Sequence, residues 1–259
     1  MKPSFLRLCL AVFLLVTFQP VSAASSEYSA TTKESSPREG ERTGRLFVGK
    51  DGVRTEYEVN DEKLVQIVNF RTQEVYLLNP GKRSFMRRSI GQAGSAGSGH
   101  PSQEAPSADP CTGQQGLLCK SLGTENVNGR KAVKWLLTPR GDDQESREVT
   151  LWLDYERHTP LKQVMPDGVT MSLRLLGKET VNRRQTEKWE MTVTGTGDSS
   201  NVSYQWYDAE LGANVREEQT GVYSRELLDI KTGSQPGDLF NVPDDFTEVK
   251  PGQGGSQQR

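Results

Sequence analysis

Histidine is nearly missing from this 259-residue chain, which holds two, and cysteine is scarce at three. So thin a supply of imidazole and thiol leaves nucleophilic and general-base catalysis little to work with, and neither residue type stands at a zinc-ligand spacing. No G-x-S-x-G, H-E-x-x-H, Walker or Rossmann pattern occurs either. Apolar residues make up 33% and aromatics 7%. That suits sheets burying one face and argues against a large enzyme core wrapped on both. Beyond the first 23 residues no apolar run approaches the ~20 residues of a bilayer span, which excludes a polytopic membrane protein. Charge of neither sign dominates, with 32 basic against 34 acidic residues, so nucleic acid is not an expected partner.

What is present begins with a leader. Lys2 and Arg7 precede the apolar run Leu8 to Val16, and Val21, Ser22 and Ala23 set small residues before a cleavage point. This reads as a secretory signal cut after Ala23, implying a periplasmic protein that loses Cys9 with its leader. Cys111 and Cys119 remain, and in an oxidising compartment a close pair is expected to form a disulfide.

The rest reads as short strands joined by turns. RLFV (45–48), VRTEYEV (53–59), KLVQIVNF (63–70), EVYLL (74–78) and SFMRR (84–88) form an N-terminal β-meander within residues 24–88. Residues 89–110 are Gly, Ser, Ala and Pro with almost no apolar side chain, which is the composition of a flexible linker. Within 111–249 lies a two-copy repeat, residues 122–175 and 176–229. LGTENVNGRKAVKW returns as LGKETVNRRQTEKW, and WLD (152–154) returns as WYD (206–208), all at a shift of 54. Asn128-Gly129 signals a type I′ hairpin turn; Asn182-Arg183 occupies the same site without the glycine. A closing C-terminal strand is expected before a disordered tail at 250–259. The expected fold is all-β with little helix: about a dozen strands in a strongly curved antiparallel sheet or incomplete barrel.

No metal site or cofactor is expected, and no enzyme. His100 falls in the linker and His158 in a wet turn. Asp154, Asp208 and Glu187 are the carboxylates that repeat symmetry could bring together, but Asp154 and Asp208 read better as Asx residues bonding turn N–H groups. The candidate ligand-binding residues are the tryptophans Trp135, Trp152, Trp189 and Trp206. Their equivalent placement leads to the expectation that all four line one side of the sheet, as core and pocket together.

The segment WYDAELGANVREEQTGVYSRELLDIKTGSQPGDLFNVPDDF (206–246), with Leu239, Phe240 and Pro243 near its end, resembles the closing module of the periplasmic lipoprotein-carrier (LolA/LolB-like) superfamily. The meander around GRLFVGKDGVRTE and VYLLNP is similar to the opening of the same group. The resemblance implies an incomplete β-barrel whose concave face accommodates acyl chains, so a lipid or lipoprotein is the expected partner. The alternative is a protein-interaction or scaffold module of the cell envelope.

Overall fold

The structure is a computed structural model, and it describes residues 26–59, 61–89, 109–111, 116–140, 147–195 and 200–249. The leader, most of the linker with His100, and the tail lie outside the described residues.

Among the described residues sixteen strands form one sheet, more than the dozen expected. The N-terminal set is β1 (Tyr28–Ser36), β2 (Gly40–Gly49), β3 (Gly52–Val59), β4 (Glu62–Asn69), β5 (Glu74–Asn79) and β6 (Ser84–Ser89). The first repeat unit holds β7 (Leu117–Val127), β8 (Arg130–Pro139), β9 (Val149–Asp154) and β10 (Pro160–Val164). The second holds β11 (Thr170–Val181), β12 (Arg184–Thr194), β13 (Ser200–Asp208) and β14 (Ala213–Gln219). It is followed by β15 (Tyr223–Thr232) and the two-residue β16 (Thr247–Glu248). No α-helix occurs among the described residues.

Neighbouring strands pair antiparallel in chain order, with two exceptions. β1 pairs β15 antiparallel, joining the two halves of the chain, and β16 runs parallel to β6. The sheet therefore stays open, with β7 at one end and the β6–β16 pair at the other. Among the described residues no strand pairs with the outer edge of β7. The segment before β16 packs on β2 to β6, where Phe240 joins Phe47, Val65, Ile67 and Leu78 in a fully buried cluster. Glycine is required beneath it, because a Cβ on Gly49 would lie 2.5 Å from the Phe240 ring and one on Gly52 would lie 2.3 Å from the Val68 carbonyl oxygen.

The turn chemistry follows the sequence reading. Asn128 and Gly129 both have positive φ, and so do Asn182 and Arg183 (49° and 66°), so the second hairpin makes the same turn without glycine. Each long hairpin carries a bulge: Leu122 is the extra residue between Ser121 and Gly123, and Leu176 between Leu175 and Gly177. A bulge bends its strand and sharpens the local twist. Beyond it each hairpin tip reaches a more distant strand. The Asn128 amide donates to the Leu173 carbonyl of β11 at 2.7 Å, and the Asn182 amide to the Leu227 carbonyl of β15 at 3.1 Å. The Cys111–Cys119 disulfide, Cα–Cα 5.8 Å, ties the chain preceding β7 to that edge strand.

Candidate functional site

The register decides where the tryptophans point. Lys134 pairs with Trp152 and Lys188 with Trp206, so each of these indoles shares a side of the sheet with its lysine. Trp135 and Trp189 follow those lysines by one residue and face the opposite way. The expectation that all four line one side is thus corrected: repeat symmetry keeps Trp135 with Trp189 and Trp152 with Trp206, but the two pairs lie on opposite sides. The register of β8 with β9, and of β12 with β13, sets that parity, and a slip of one residue would reverse it.

Trp152 and Trp206 are each clasped between two cations. Lys134 and Lys162 lie 4.9 and 4.8 Å from the Trp152 ring centroid; Lys188 and Arg216 lie 4.9 and 4.7 Å from that of Trp206. The indole N–H of Trp152 donates to Glu125 and that of Trp206 to Glu179, at 2.6 Å in the second case. Every partner in one unit stands 54 residues from its counterpart in the other. Both rings are buried under these side chains and the curled hairpin tips. Their N–H groups are satisfied, and their faces are occupied by alkyl stems and charged heads.

The acidic candidates also repeat. Asp154 accepts from the backbone N–H groups of Glu156 and Arg157, and Asp208 from those of Glu210 and Leu211, as the Asx reading expects. The same carboxylates accept from Arg130 and Arg184, an ion pair that sequence reading missed. The signal was there, since Arg130 and Arg184 each sit 24 residues before the aspartate. Burial pushes the Asp154 pKa up, but the Arg130 guanidinium and the two backbone donors outweigh it and leave it below its ordinary value. Glu187 accepts a two-pronged bond from Arg157, at 2.7 and 2.9 Å, and this guanidinium holds its carboxyl below the usual range. Each of these acids is bound to its own arginine. His158 stands in the β9–β10 turn at φ 55°.

The side carrying Trp135 and Trp189 is different in character. From β8 to β12 it presents Val133, Trp135 and Leu137; Val149, Leu151 and Leu153; Gln163; Met171, Leu173 and Leu175; and Trp189, Met191 and Val193. None of these is charged, the strip ending on β12 at Trp189 before Glu187 with its Arg157 partner, whereas the reverse side of the same strands carries Lys134, Lys162, Arg174, Lys188 and Glu190. Several strip residues, Trp135, Leu137, Met171 and Leu175 among them, are only half-buried. The strip gives way toward β13 and β14 to buried polar residues, where the Asn214 amide donates to Gln205 at 3.2 Å and Glu217 at 3.0 Å. At that boundary Thr159, Pro160, Leu173, Trp189, Gln205, Tyr207 and Asn214 line a cleft of about 10 Å³, room for about one water. Burial, with the Glu187 charge nearby, pushes the Tyr207 phenol up to about 12. A wider cleft, about 480 Å³, lies at the second hairpin tip between Asn182, Arg183, Arg184, Leu228, Asp229 and Ile230. It is more polar than apolar and borders none of the tryptophans.

No protein-family model matches the sequence, and no curated protein matches it. Among solved structures the chain is similar in fold to a LolA superfamily protein from Nitrosomonas europaea. Identity is 11%, coverage is 85% of this chain and 92% of that one, and the TM-score is 0.43. It is also similar to a domain assigned as an outer membrane lipoprotein-sorting protein from Vibrio parahaemolyticus, at 15% identity, coverage of 85% and 91% and a TM-score of 0.39. A DUF1329 family protein from Desulfovibrio piger stands at 14%, 85%, 91% and 0.39. All three are likenesses at low identity.

Proposed function

We propose that this chain is a non-enzymatic, exported protein of the cell envelope that binds an apolar ligand, a lipid or the acyl chain of a lipoprotein, on the Trp189 side of its sheet. One observation carries the reading: the strip of uncharged residues spanning β8 to β12 leaves Trp135, Leu137, Met171 and Leu175 half-buried, while the reverse side of the same strands is charged. The half-buried apolar side chains of this strip offer area that an alkyl chain would remove from water at roughly 25 cal/mol per Å². The cleft beside Trp189 is too tight to enclose a ligand, so the chain would lie along the open strip. Trp135 and Trp189 are the tryptophans it would meet; Trp152 and Trp206 serve packing on the other side. Export follows from the reading of residues 1–23 as a cleavable signal, and the periplasm is the proposed location.

The test is native mass spectrometry on protein purified gently from the envelope fraction, with lipid extraction of the same sample. Bound acyl species would support the reading. Protein that emerges free of lipid, and that gives no fluorescence enhancement with N-phenyl-1-naphthylamine, would sink it.

A further inference from the structure

The two ends of the sheet are finished differently. At one end the short parallel strand β16 lies alongside β6. At the other stands β7, eleven residues long and largely exposed, with no strand on its outer side among the described residues. An edge of that length presents a row of main-chain N–H and C=O groups on which a further strand can add.

The neighbouring strands fix which groups face outward. Just past β8, Arg140 N donates to Gly116 O at 3.0 Å, and Tyr155 N donates to Lys131 O at 2.9 Å. The first bond turns the even-numbered residues of β8 toward β7, and the second turns the odd-numbered ones toward β9. Pro139, opposite Leu117, has no N–H to give and fits that alternation. The register then leaves Cys119 and Ser121, before the Leu122 bulge, and Thr124 and Asn126, after it, with their main-chain groups turned outward.

This pattern is self-complementary. A second copy of β7, laid antiparallel about a two-fold axis between Leu122 and Gly123, sets Ser121 opposite Thr124 of the other copy and Cys119 opposite its Asn126. Outward groups then meet outward groups, and the two bulges meet at the axis. In the same register Lys120, the one cation of β7, lies opposite Glu125, its one acid, and the exposed Leu118 lies opposite Val127. All of these stand on the side of the sheet that carries Trp152. Registers centred on Lys120 or on Glu125 would instead set like charges directly against each other, which is unfavourable. Glu125 accepts from Trp152 Nε1 through Oε1, and a carboxylate has a second oxygen for a lysine.

We propose that β7 is a dimerisation edge: two copies of this chain pair antiparallel through Cys119 to Asn126, exchange about eight main-chain hydrogen bonds and add two Lys120–Glu125 ion pairs. The sheet then runs from one copy into the other, with the two Trp135 sides on one face, whatever that face binds. One strand from each copy makes a small interface, so the expected dissociation constant is on the order of 10 µM.

Sedimentation velocity of the full-length mature protein, disulfide intact, from about 1 to 200 µM reads the assembly. A monomer–dimer equilibrium is expected. Lys120→Glu sets like charges opposite each other, and Thr124→Pro removes an outward N–H while sparing the bonds to β8; each should weaken the dimer about tenfold or more. Glu125→Lys should weaken it alike, and mixing it with Lys120→Glu should restore heterodimers, because each variant then meets its opposite charge at both positions. Amide exchange at Ser121 and Thr124 should slow as concentration rises, while that at Lys120 and Glu125, already bonded to β8, stays the same. Where Glu125→Lys loses the fold by circular dichroism, Lys120→Glu and Thr124→Pro decide. Protein that stays monomeric up to about 200 µM overturns the proposal, and slow exchange of Ser121 and Thr124 in that monomer would assign the edge to another segment of the same chain. A dimer that neither Lys120→Glu nor Thr124→Pro weakens uses another surface and overturns it equally.

Discussion

The side-chain amide of Asn182, at the tip of the β11–β12 hairpin, donates to the main-chain carbonyl of Leu227 on β15, 3.1 Å away. The bond latches a two-residue turn onto a strand 45 residues later and seals Val181 and Leu227 around Trp206. Asn128 repeats it with Leu173 in the first unit.

Replacing Asn182 by Ala removes this latch and places a residue that disfavours positive φ in the turn. A loss of about 1–2 kcal/mol is expected from urea unfolding. Asn182→Gly keeps the turn and isolates the latch, so it should lose less than the Ala variant.

Asp154 and Asp208 are buried carboxylates, each held by an arginine and two backbone donors. Asp154→Asn should destabilise the fold by about 3 kcal/mol, since Arg130 is left facing a neutral amide. The pH dependence follows from the depressed pKa of Asp154. Its contribution is fully present above the unfolded-state value near 3.9 and is lost as pH falls through the lower folded-state value. The stability gap between wild type and Asp154→Asn should therefore stay constant above about pH 5 and narrow below about pH 4.

The cations on Trp206 and the ring itself should separate in magnitude. Lys188→Met keeps the alkyl cover and loses the charge, at an expected cost of about 0.5–1 kcal/mol. Trp206→Ala empties a buried position and should cost about 3–5 kcal/mol. Neither change touches the Trp189 side, so naphthylamine binding by the folded Lys188→Met variant should match wild type.

Gly52→Ala would press a methyl group into the Val68 carbonyl beneath Phe240. Strand β3 must shift to make room, costing about 1–3 kcal/mol, with early proteolysis of the segment that carries Phe240 as the local readout.

Reduction of Cys111–Cys119 opens a short loop, whose closure contributes about 2–3 kcal/mol in the chain-entropy picture. Hydrogen exchange at the β7 end of the sheet should accelerate on reduction while β12 and β13 stay protected.

How much of this was legible follows the range of the interactions. Asn128-Gly129 and the Asx roles of Asp154 and Asp208 are written within a few residues, and each turned out as read. Strand β1, from Tyr28 to Ser36, was not separately identified, because its threonines, serines and charges carry weak strand preference. It forms by lying between β2 and β15, whose partner residues stand almost 200 positions away. Trp189 Nε1 donates to Glu187, whereas Trp135 Nε1 is buried with no partner among the described residues. That difference could have been suspected from the Val133 and Glu187 substitution between the repeats, but the burial could not.

The sequence by itself determined the β class, the two-unit repeat, the hairpin turns and the cysteine pairing, since local dihedral preference, period-two patterning and spacing settle those. Only the tertiary structure decided which side of the sheet each tryptophan occupies, that Asp154 and Asp208 each hold an arginine, and that β1 pairs with β15. Those depend on register between strands, and a one-residue slip of register, neutral to every local preference, turns a whole face over.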